Sequence, residues 1–325
     1  MPGAKRLAVL VALGVSLDGC PGTRATMPVP SPTSDAGPYA RLPVAVIAHR
    51  GASADAPENT LAAFRLAREQ RADWFELDCT VSADGAVVVI HDDSLDRTTS
   101  GSGPVGARTL AELRALDAGS WFDPTFAGEP LPTLAEALAL GDAATGVYVE
   151  VKRHPGDEAL EVELLARLAG GRSPPDPALD ASLVARIAAS GTRNLPLTRA
   201  VLTELRGRDG AGRVVLQSFS PVICAVAAFK APELRVELLA RVAVDDDAAW
   251  QVALAWVRAL DLAGLNLDAA GVTPERVAEL HALGRTVAVW TVDEPAELER
   301  VVAAGVDAVI TNRPAAVREW LSERR

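Results

Sequence analysis

From residue 43 onward, the chain alternates short apolar runs with segments whose apolar positions recur at helical spacing. Such alternation predicts parallel strands joined by crossover helices. The runs are apolar almost throughout, which is typical of strands that are covered on both faces. The runs comprise residues 44–48, 74–81, 86–90, 146–152, 213–219, 234–240, 262–267, 286–292 and 307–311.

A single (β/α)8 barrel of the TIM type is the fold that this pattern favours, although nine runs exceed its eight strands by one. The link between the second and third runs is too short for a parallel crossover, and it contains the turn signal Asp84-Gly85. One run therefore lies outside the barrel, or that connection lacks its helix. An open doubly wound sheet is the alternative, but no P-loop motif supports a nucleotide-binding version of it.

The composition limits the classes of partner. The chain has 325 residues, 49% of them hydrophobic, which is ample for a large buried core. Its net charge of −11 argues against nucleic acid and bare anionic membranes as partners of the bulk surface. If the substrate is itself an anion, the protein must supply local positive charge, and a bound divalent cation does this efficiently.

Residues 1–20 are predicted to be a signal peptide. Lys5 and Arg6 precede an apolar stretch that is too short to span a bilayer. The stretch ends in Leu-Asp-Gly-Cys, which resembles the bacterial lipoprotein cleavage box, in which Cys20 would become lipidated. Asp18 departs from that pattern, so ordinary secretion with cleavage nearby is the alternative. Either way we expect an exported protein, periplasmic or at the cell surface and otherwise secreted.

Residues 21–42 are rich in Pro, Ser and Thr and lack periodicity, which predicts a tether rather than a domain. The folded domain is therefore expected to span 43–325. If Cys20 is lipidated, Cys79 and Cys224 remain, and we interpret them as two buried thiols rather than a disulfide.

Ionisable residues interrupt or follow the apolar runs, where a barrel places its catalytic groups. Residues two apart on a strand share a face, so Glu76 and Asp78 point the same way, as do Glu150 and Lys152. If that face is inward, three carboxylates converge at the barrel mouth, and oxygen ligands favour Ca²⁺ or Mg²⁺. The alternative is a set of salt bridges to Arg50 and Lys152. The candidate polar and aromatic residues are His49, Arg50, Glu76, Asp78, His91, Asp92, Glu150, Lys152, Gln217 and Trp290.

His49 and His91, two of the four histidines, stand at the ends of apolar runs. The ordinary pKa of histidine lies near working pH, so such a pair can serve as general acid and general base. A single histidine in such a place would more often be structural. The sequence leaves open which of the two is the acid.

Eight sequence blocks, in order, resemble the glycerophosphodiester phosphodiesterase family and cover essentially the whole chain from 44 to 314. The blocks are AHRGASADAPENT (48–60), ELD (76–78), HDDSLDRTT (91–99), LPTLAEAL (131–138), VEVK (149–152), QSF (217–219), VWTVD (289–293) and GVDAVITNRP (305–314). The resemblance implies a TIM-type barrel and divalent-metal-dependent hydrolysis of glycerophosphodiesters to sn-glycerol 3-phosphate and an alcohol.

The resemblance also implies roles for individual residues. The catalytic histidines of the family fall on His49 and His91, and its metal carboxylates on Glu76, Asp78 and Glu150. Arg50 and Lys152 match its phosphate-contacting cations, while Glu58, Asn59 and Gln217 support the site. Trp290 offers an apolar wall or a cation–π face for a choline-type head group, or it is simply a barrel-core aromatic. The nucleophile is water or the neighbouring glycerol hydroxyl.

Two rival functions are consistent with part of this pattern. One is a phospholipid phosphodiesterase of phospholipase C or D type on a related barrel, which would cleave intact phospholipid. The other is a catalytically silent surface lipoprotein that binds glycerophosphodiesters, although both histidines and all three carboxylates are present. A long Pro/Gly-rich stretch between Lys152 and Gln217 is expected to alter the rim of the site. The preferred alcohol and the oligomeric state are left open.

Overall fold

The computed structural model describes residues 44–169, 176–206 and 213–324. Within them, eight parallel strands close into a barrel, as the alternation of runs predicts. The predicted signal peptide (1–20) and tether (21–42) lie outside the described residues. The strands are β1 (Ala45–Ala48), β2 (Trp74–Val81), β3 (Val87–Val89), β4 (Gly146–Val151), β5 (Val214–Ser218), β6 (Arg235–Ala240), β7 (Gly264–Asp268), β8 (Thr286–Trp290) and β9 (Ala308–Thr311).

The barrel order is β1-β2-β4-β5-β6-β7-β8-β9, and every neighbouring pair in it is parallel. β1 pairs with β9 and closes the ring, with Ala48 opposite Thr311. On its other side, β1 pairs with β2, and Ala48 lies opposite Phe75. Because all eight strands run the same way, their carboxyl ends meet at one mouth. The loops that follow β1, β4, β5, β6, β7, β8 and β9 therefore share that end of the molecule.

The ninth strand, β3, lies outside the barrel. It pairs antiparallel with the end of β2, so that Val89 lies opposite Cys79 and Val87 opposite Val81. The turn 82–85 makes this a hairpin, which explains why that link is too short for a crossover. One apolar run outside the barrel is thus confirmed. His91 does not end a barrel strand: it reaches the mouth because β3 runs back along β2.

Helices cover the outside of the barrel, and their starts follow sequence signals. Thr60 caps the first helix through its side chain, and Thr133 with Glu136 forms a capping box at the start of the third. The helices are α1 (Leu61–Glu69), α2 (Leu110–Arg114), α3 (Leu134–Leu138), α4 (Glu158–Arg167), α5 (Pro177–Ala189), α6 (Asn194–Leu205), α7 (Pro221–Lys230), α8 (Asp247–Ala259), α9 (Pro274–Ala282), α10 (Pro295–Ala303) and α11 (Pro314–Ser322).

The connection from β4 to β5 contains three helices, α4 to α6, instead of one. Most of its Pro/Gly-rich stretch lies outside the described residues. Pro177, just after that stretch, lines a cavity of about 670 Å³ together with Leu234 and Arg235 at the start of β6. That cavity is at the end of the barrel opposite the mouth. The position of Pro177 therefore does not support the expectation that the Pro/Gly-rich stretch alters the rim of the site.

The main core lies between the strands and the helices, and a smaller cluster fills the barrel. Inside the barrel, Trp74 packs edge-on against Tyr148, with 5.2 Å between ring centroids. Glu237 is fully buried there; it accepts hydrogen bonds from Arg235 Nε (2.8 Å) and Tyr148 Oη (3.2 Å). Arg235 begins β6, so this ion pair lies towards the amino-terminal end of the barrel.

Cys79 and Cys224 are both buried free thiols, which confirms their interpretation as unpaired. Among the described residues, no helix has the length and apolar character needed to cross a membrane.

Candidate active site

Three carboxylates converge inside the barrel mouth, as the two-residue spacing predicts. Glu76, Asp78 and Glu150 each present an oxygen, and these oxygens lie within 4.8 Å of one another. All three residues are buried, with exposed fractions of 1%, 1% and 8%. Asp78 and Glu150 are direct neighbours in the β2–β4 register. The inward face of two adjacent strands is therefore strongly acidic.

Two cations stand beside these acids. Lys152 Nζ lies 2.8 Å from Glu150 Oε1 and 3.3 Å from Asp78 Oδ1. Arg50 Nε lies 3.2 Å from Asp78 Oδ2, and the backbone N–H of Arg50 donates to Glu76 Oε2 at 2.9 Å. The two alternatives drawn from the sequence therefore hold together: the three acids converge, and they also form salt bridges to Arg50 and Lys152. Three carboxylates against two cations leave a surplus negative charge.

The surplus charge appears in the pKa values of the carboxyl groups. Burial, and then the charge of Asp78, raise the pKa of Glu76 well above its usual range and that of Glu150 to about 7. Burial acts the same way on Asp78, but the charges of Lys152 and Arg50 outweigh it and hold the pKa of Asp78 below its usual range. A hard divalent cation would relieve this repulsion, so the all-oxygen donor set fits one.

His49 directly follows β1 and is held by the strand beside it. Its Nδ1 lies 2.7 Å from Asn312 Oδ1, just past β9. The amide N of Asn312 donates to Asp293 Oδ2 at 2.5 Å, and Asp293 also accepts from the backbone N–H of Asn312. Since a carboxylate only accepts, it turns the amide oxygen towards His49. The Nδ1 of His49 therefore carries the proton, and Nε2 is left as a lone-pair acceptor.

Burial, and then the nearby charge of Arg50, lower the pKa of His49 to about 4. His49 is therefore a neutral imidazole at neutral pH. Together with its fixed tautomer, this makes Nε2 suited to accept a proton.

His91 is held in a different way. Its Nδ1 lies 2.6 Å from Asp92 Oδ1, and Arg97 Nε donates to Asp92 Oδ2, also at 2.6 Å. Hydrogen bonding from Arg97 lowers the pKa of Asp92 to about 2, so Asp92 is a carboxylate at all ordinary pH values. Since a carboxylate only accepts, the Nδ1 of His91 carries a proton.

The loop after β1 ties the two histidines together. Arg97 donates twice to Glu58 (2.7 and 2.8 Å), and Glu58 also accepts from Arg50 Nη1 at 2.8 Å. Asn59 exchanges two hydrogen bonds with Asp78, at 2.9 and 3.1 Å. Asn59 and Arg50 both have positive φ, +59° and +56°, a conformation that Asn tolerates better than most residues. The loop thus carries local strain at the site.

Gln217 and Trp290 complete the predicted set on the other strands. Gln217 Nε2 lies 3.5 Å from Glu76 Oε1, and its amide oxygen accepts from Asn266 Nδ2 at 2.7 Å. Trp290 Nε1 donates to the carbonyl oxygen of Asn266 at 3.2 Å. Asn266 therefore orients both predicted residues. Trp290 is half-buried at the top of the barrel interior, so it is both part of the core cluster and open to the mouth.

The structure brings every predicted site residue to the mouth, but sequence reasoning missed four residues that hold them. Asn312 and Asp293 lie inside blocks that carry the family resemblance, and Arg97 lies in another. Asn266 could have been noticed from the sequence, because it is a buried polar residue inside the apolar run of β7 and such a residue needs a hydrogen-bond partner.

Comparison with known proteins places this chain in a family. The sequence model of the "Glycerophosphoryl diester phosphodiesterase family" matches residues 49–171 and 186–316. A glycerophosphodiester phosphodiesterase of Caldanaerobacter subterraneus is 34% identical over 274 residues, covering 83% of this chain and 94% of the relative. One of Bacillus subtilis is 30% identical over 282 residues, covering 83% and 84%.

Solved structures of similar proteins have the same fold. An Oleispira antarctica phosphodiesterase, solved in complex with the product sn-glycerol-3-phosphate, superposes with a TM-score of 0.66 at 27% identity, covering 86% of this chain and 96% of that one. A glycerophosphodiester phosphodiesterase from Agrobacterium tumefaciens gives 0.59 at 29% identity, covering 85% and 99%.

Proposed function

The chain belongs to the glycerophosphoryl diester phosphodiesterase family, and from that premise we propose how its own residues hydrolyse glycerophosphodiesters. As a phosphodiesterase of this family it releases sn-glycerol 3-phosphate and an alcohol from a small-molecule substrate. The observation that carries the proposal is the buried carboxylate trio, Glu76, Asp78 and Glu150, flanked by two histidines, one held by an amide oxygen and the other by a carboxylate.

We infer that Glu76, Asp78 and Glu150 hold a divalent metal ion, Ca²⁺ or Mg²⁺. Their oxygens are close enough to share one cation, and the raised pKa values of Glu76 and Glu150 reflect the repulsion that it would relieve. When bound, such an ion neutralises charge on the phosphate oxygens and orients the group. Arg50 and Lys152 add fixed positive charge on the same side, Arg50 as a planar donor and Lys152 as a point charge.

His49 is proposed to act as the general base. Its neutral ring presents Nε2 with a free lone pair because Nδ1–H is committed to Asn312 Oδ1. Nε2 can therefore remove the proton of the attacking hydroxyl, whether this belongs to water or to the neighbouring glycerol group. Asn312 and Asp293 hold the ring in this tautomer.

His91 is proposed to act as the general acid. The carboxylate of Asp92 accepts from Nδ1, so a ring that carries a second proton holds it at Nε2, where it is available for transfer. That proton passes to the oxygen of the departing alcohol. General acid–base help of this kind contributes on the order of a hundred- to ten-thousand-fold each.

The test is release of glycerol 3-phosphate from glycerophosphocholine and glycerophosphoinositol by the purified 43–325 segment. It is assayed after treatment with EDTA and then with added Ca²⁺ or Mg²⁺. Release that EDTA abolishes and metal restores supports both the reaction and the metal site. Release that survives EDTA unchanged would overturn the metal proposal. Cleavage of intact phosphatidylcholine in preference to its deacylated form would favour a phospholipase instead.

The histidine roles have their own test. His49→Ala and His91→Ala should each abolish turnover with unchanged circular dichroism. With a substrate whose leaving group is 4-nitrophenolate, which needs no proton, His91→Ala should recover most of its activity and His49→Ala should not. Recovery in the His49 variant alone would reverse the assignment.

We also propose that the protein acts outside the cytoplasm, anchored through Cys20 or secreted. The support is the sequence of residues 1–20 and the tether-like composition of 21–42. Expression of the full chain with Cys20→Ala should move the protein from the membrane fraction to the soluble exported fraction. An equal membrane share in both forms would contradict the lipid anchor.

A further inference from the structure

The half of the mouth that faces the carboxylates has a distinct lining. The acids stand on β2 and β4, whereas Phe219, Arg241, Asp268 and Trp290 stand at the ends of β5, β6, β7 and β8. Phe219 meets Trp290 edge-on, with 5.4 Å between ring centroids. Since the barrel places these four strand ends side by side, their side chains form one wall of the substrate entrance.

Arg241 occupies the aromatic face of this wall. Its guanidinium carbon lies 5.1 Å from the centroid of the Trp290 ring, within the range of a cation–π contact. Its Nε donates to Asp268 Oδ2 at 3.2 Å, and Asp268 Oδ1 in turn accepts from the backbone N–H of Ala270. The Arg241 side chain is 73% exposed, so most of it remains open to whatever enters.

We propose that Arg241, held by Asp268, is a specificity-determining residue that selects uncharged polyol head groups over quaternary ammonium head groups. This inference rests on the proposed function. It changes the expectation that Trp290 offers a cation–π face to choline, because the protein already places its own cation there.

Two physical effects act in the same direction. A trimethylammonium group at this wall would meet Arg241 as a like charge and would find the Trp290 face taken. A polyol meets matching groups instead, because the guanidinium offers several N–H donors and the carboxylate of Asp268 offers acceptors. Hydroxyl groups can use both at once, whereas trimethylammonium can neither accept from Arg241 nor donate a conventional hydrogen bond to Asp268.

The experiment is a charge series at one position: Arg241→Lys, Arg241→Met and Arg241→Glu. The quantity measured is the ratio of kcat/KM for glycerophosphocholine to kcat/KM for glycerophosphoinositol. We expect the ratio to stay low with Lys, to rise about tenfold with Met and to rise further with Glu. Arg258→Met is the matched control, since Arg258 is a half-exposed arginine on α8 that pairs with Glu279.

The outcomes separate this inference from the proposed function. A ratio that does not move across the series, or that moves equally in the Arg258 control, overturns the role of Arg241. Equal losses on both substrates would mean that the wall contacts the glycerol moiety they share, which also overturns it. Absence of turnover on every glycerophosphodiester by the unmodified enzyme would instead refute the proposed function.

Discussion

At the scale of single residues, the proposed chemistry depends on which proton each imidazole nitrogen carries. His49 is neutral and faces an amide oxygen, whereas His91 faces a carboxylate. In the proposed mechanism, two identical side chains thereby receive opposite tasks from their neighbours. Asn312 and Asp92 are accordingly as important to the assignment as the histidines themselves.

Replacing Asn312 tests this dependence. Asn312→Ala should lower kcat by roughly ten- to a hundredfold with a smaller change in KM, because the ring of His49 loses its orientation. Asn312→Asp combined with Asp293→Asn, which removes the carboxylate that the new one would face, should instead place a carboxylate on Nδ1 and raise the pKa of His49. The acid limb of the pH–rate profile should then move to higher pH. An unmoved profile in the double variant would argue against His49 as the base.

The raised pKa of Glu150 predicts how metal binding depends on pH. In the metal-free protein, the pKa of the Glu150 carboxyl is about 7, whereas its ordinary value in the unfolded chain is about 4.5. The protonated carboxyl therefore contributes stability at low pH, and this stability is lost as the pH rises from 4.5 through 7. A bound cation reverses that loss. The rise in Tm on adding Ca²⁺ or Mg²⁺ should therefore be larger at pH 8 than at pH 5.5. Glu150→Gln should reduce the difference; an equal rise at both pH values would contradict the site.

The sequence predicts the reacting residues better than their supports. Glu76 and Asp78 stand out because a charge inside an apolar run needs a partner. Asn312 contacts a residue 263 positions away, and nothing in either local pattern announces that pairing. Arg97 lies in a polar loop, where an arginine is unremarkable until Glu58 and Asp92 are seen beside it.

At the scale of elements, the β2–β3 hairpin determines where His91 stands. β2 extends beyond the barrel, and β3 returns along it until the backbone N–H of Ile90 donates to Asp78 O at 2.9 Å. His91 thus arrives beside a residue of the carboxylate trio. Ile90 is buried in a satellite core between the hairpin and α2.

Removing the Ile90 side chain should lower kcat by more than the accompanying loss of stability would cause. Ile90→Ala should lower the free energy of unfolding by about 2–4 kcal/mol and also lower kcat, because the residue next to His91 loses its packing. Leu113→Ala is the matched control, since Leu113 is buried in the same satellite core but lies on α2. We expect it to be similarly destabilised with near-normal kcat, as measured by urea unfolding and steady-state kinetics. Equal loss of kcat in both variants would contradict the role of the hairpin.

The pattern of apolar runs predicts each strand but not its partner. A run of valines such as 86–90 fits a barrel strand as well as an antiparallel one, because both can be buried on two faces. Only the short turn before residues 86–90 favours the antiparallel strand over the barrel strand. That length argument left two alternatives, a run outside the barrel or a connection without its helix, and the hairpin confirms the first.

At the scale of the whole molecule, the two ends of the barrel have separate roles. The mouth holds the acids and histidines, while the amino-terminal end is tied by the buried pair of Glu237 and Arg235. Tyr148, on β4, donates a hydrogen bond to Glu237 as well. Such a division is general in this fold, where the mouth carries chemistry and the other end carries stability.

Glu237→Ala tests the division. Loss of the carboxylate leaves the guanidinium of Arg235 without its partner, so the free energy of unfolding should fall by about 3–5 kcal/mol. The kcat of the folded enzyme should be unchanged, because the hydrogen bonds of Glu237 go to Tyr148, Arg235 and Thr286, and none of these is a proposed catalytic residue. Urea titration and kinetics at low temperature measure the two effects. A stable variant with lowered kcat would place Glu237 in the site after all.

The alternation of strands and helices predicts the barrel, but the interior ion pair could not be read from it. Glu237 sits in an apolar run just as Glu76 does, and its neighbour Arg235 lies two positions earlier. Whether such a pair faces the mouth or the opposite end depends on strand tilt and register, which the three-dimensional closure of the barrel sets.

The contact between His49 and Asn312 has a consequence for biosynthesis. The first barrel strand emerges from the ribosome early, yet its histidine is oriented by a residue that follows the last strand. A nascent chain therefore contains the acids, both histidines and both cations long before the proposed base, His49, has the residue that orients it. Full activity should therefore begin only when translation has passed residue 312, because a shorter chain lacks the partner that orients His49.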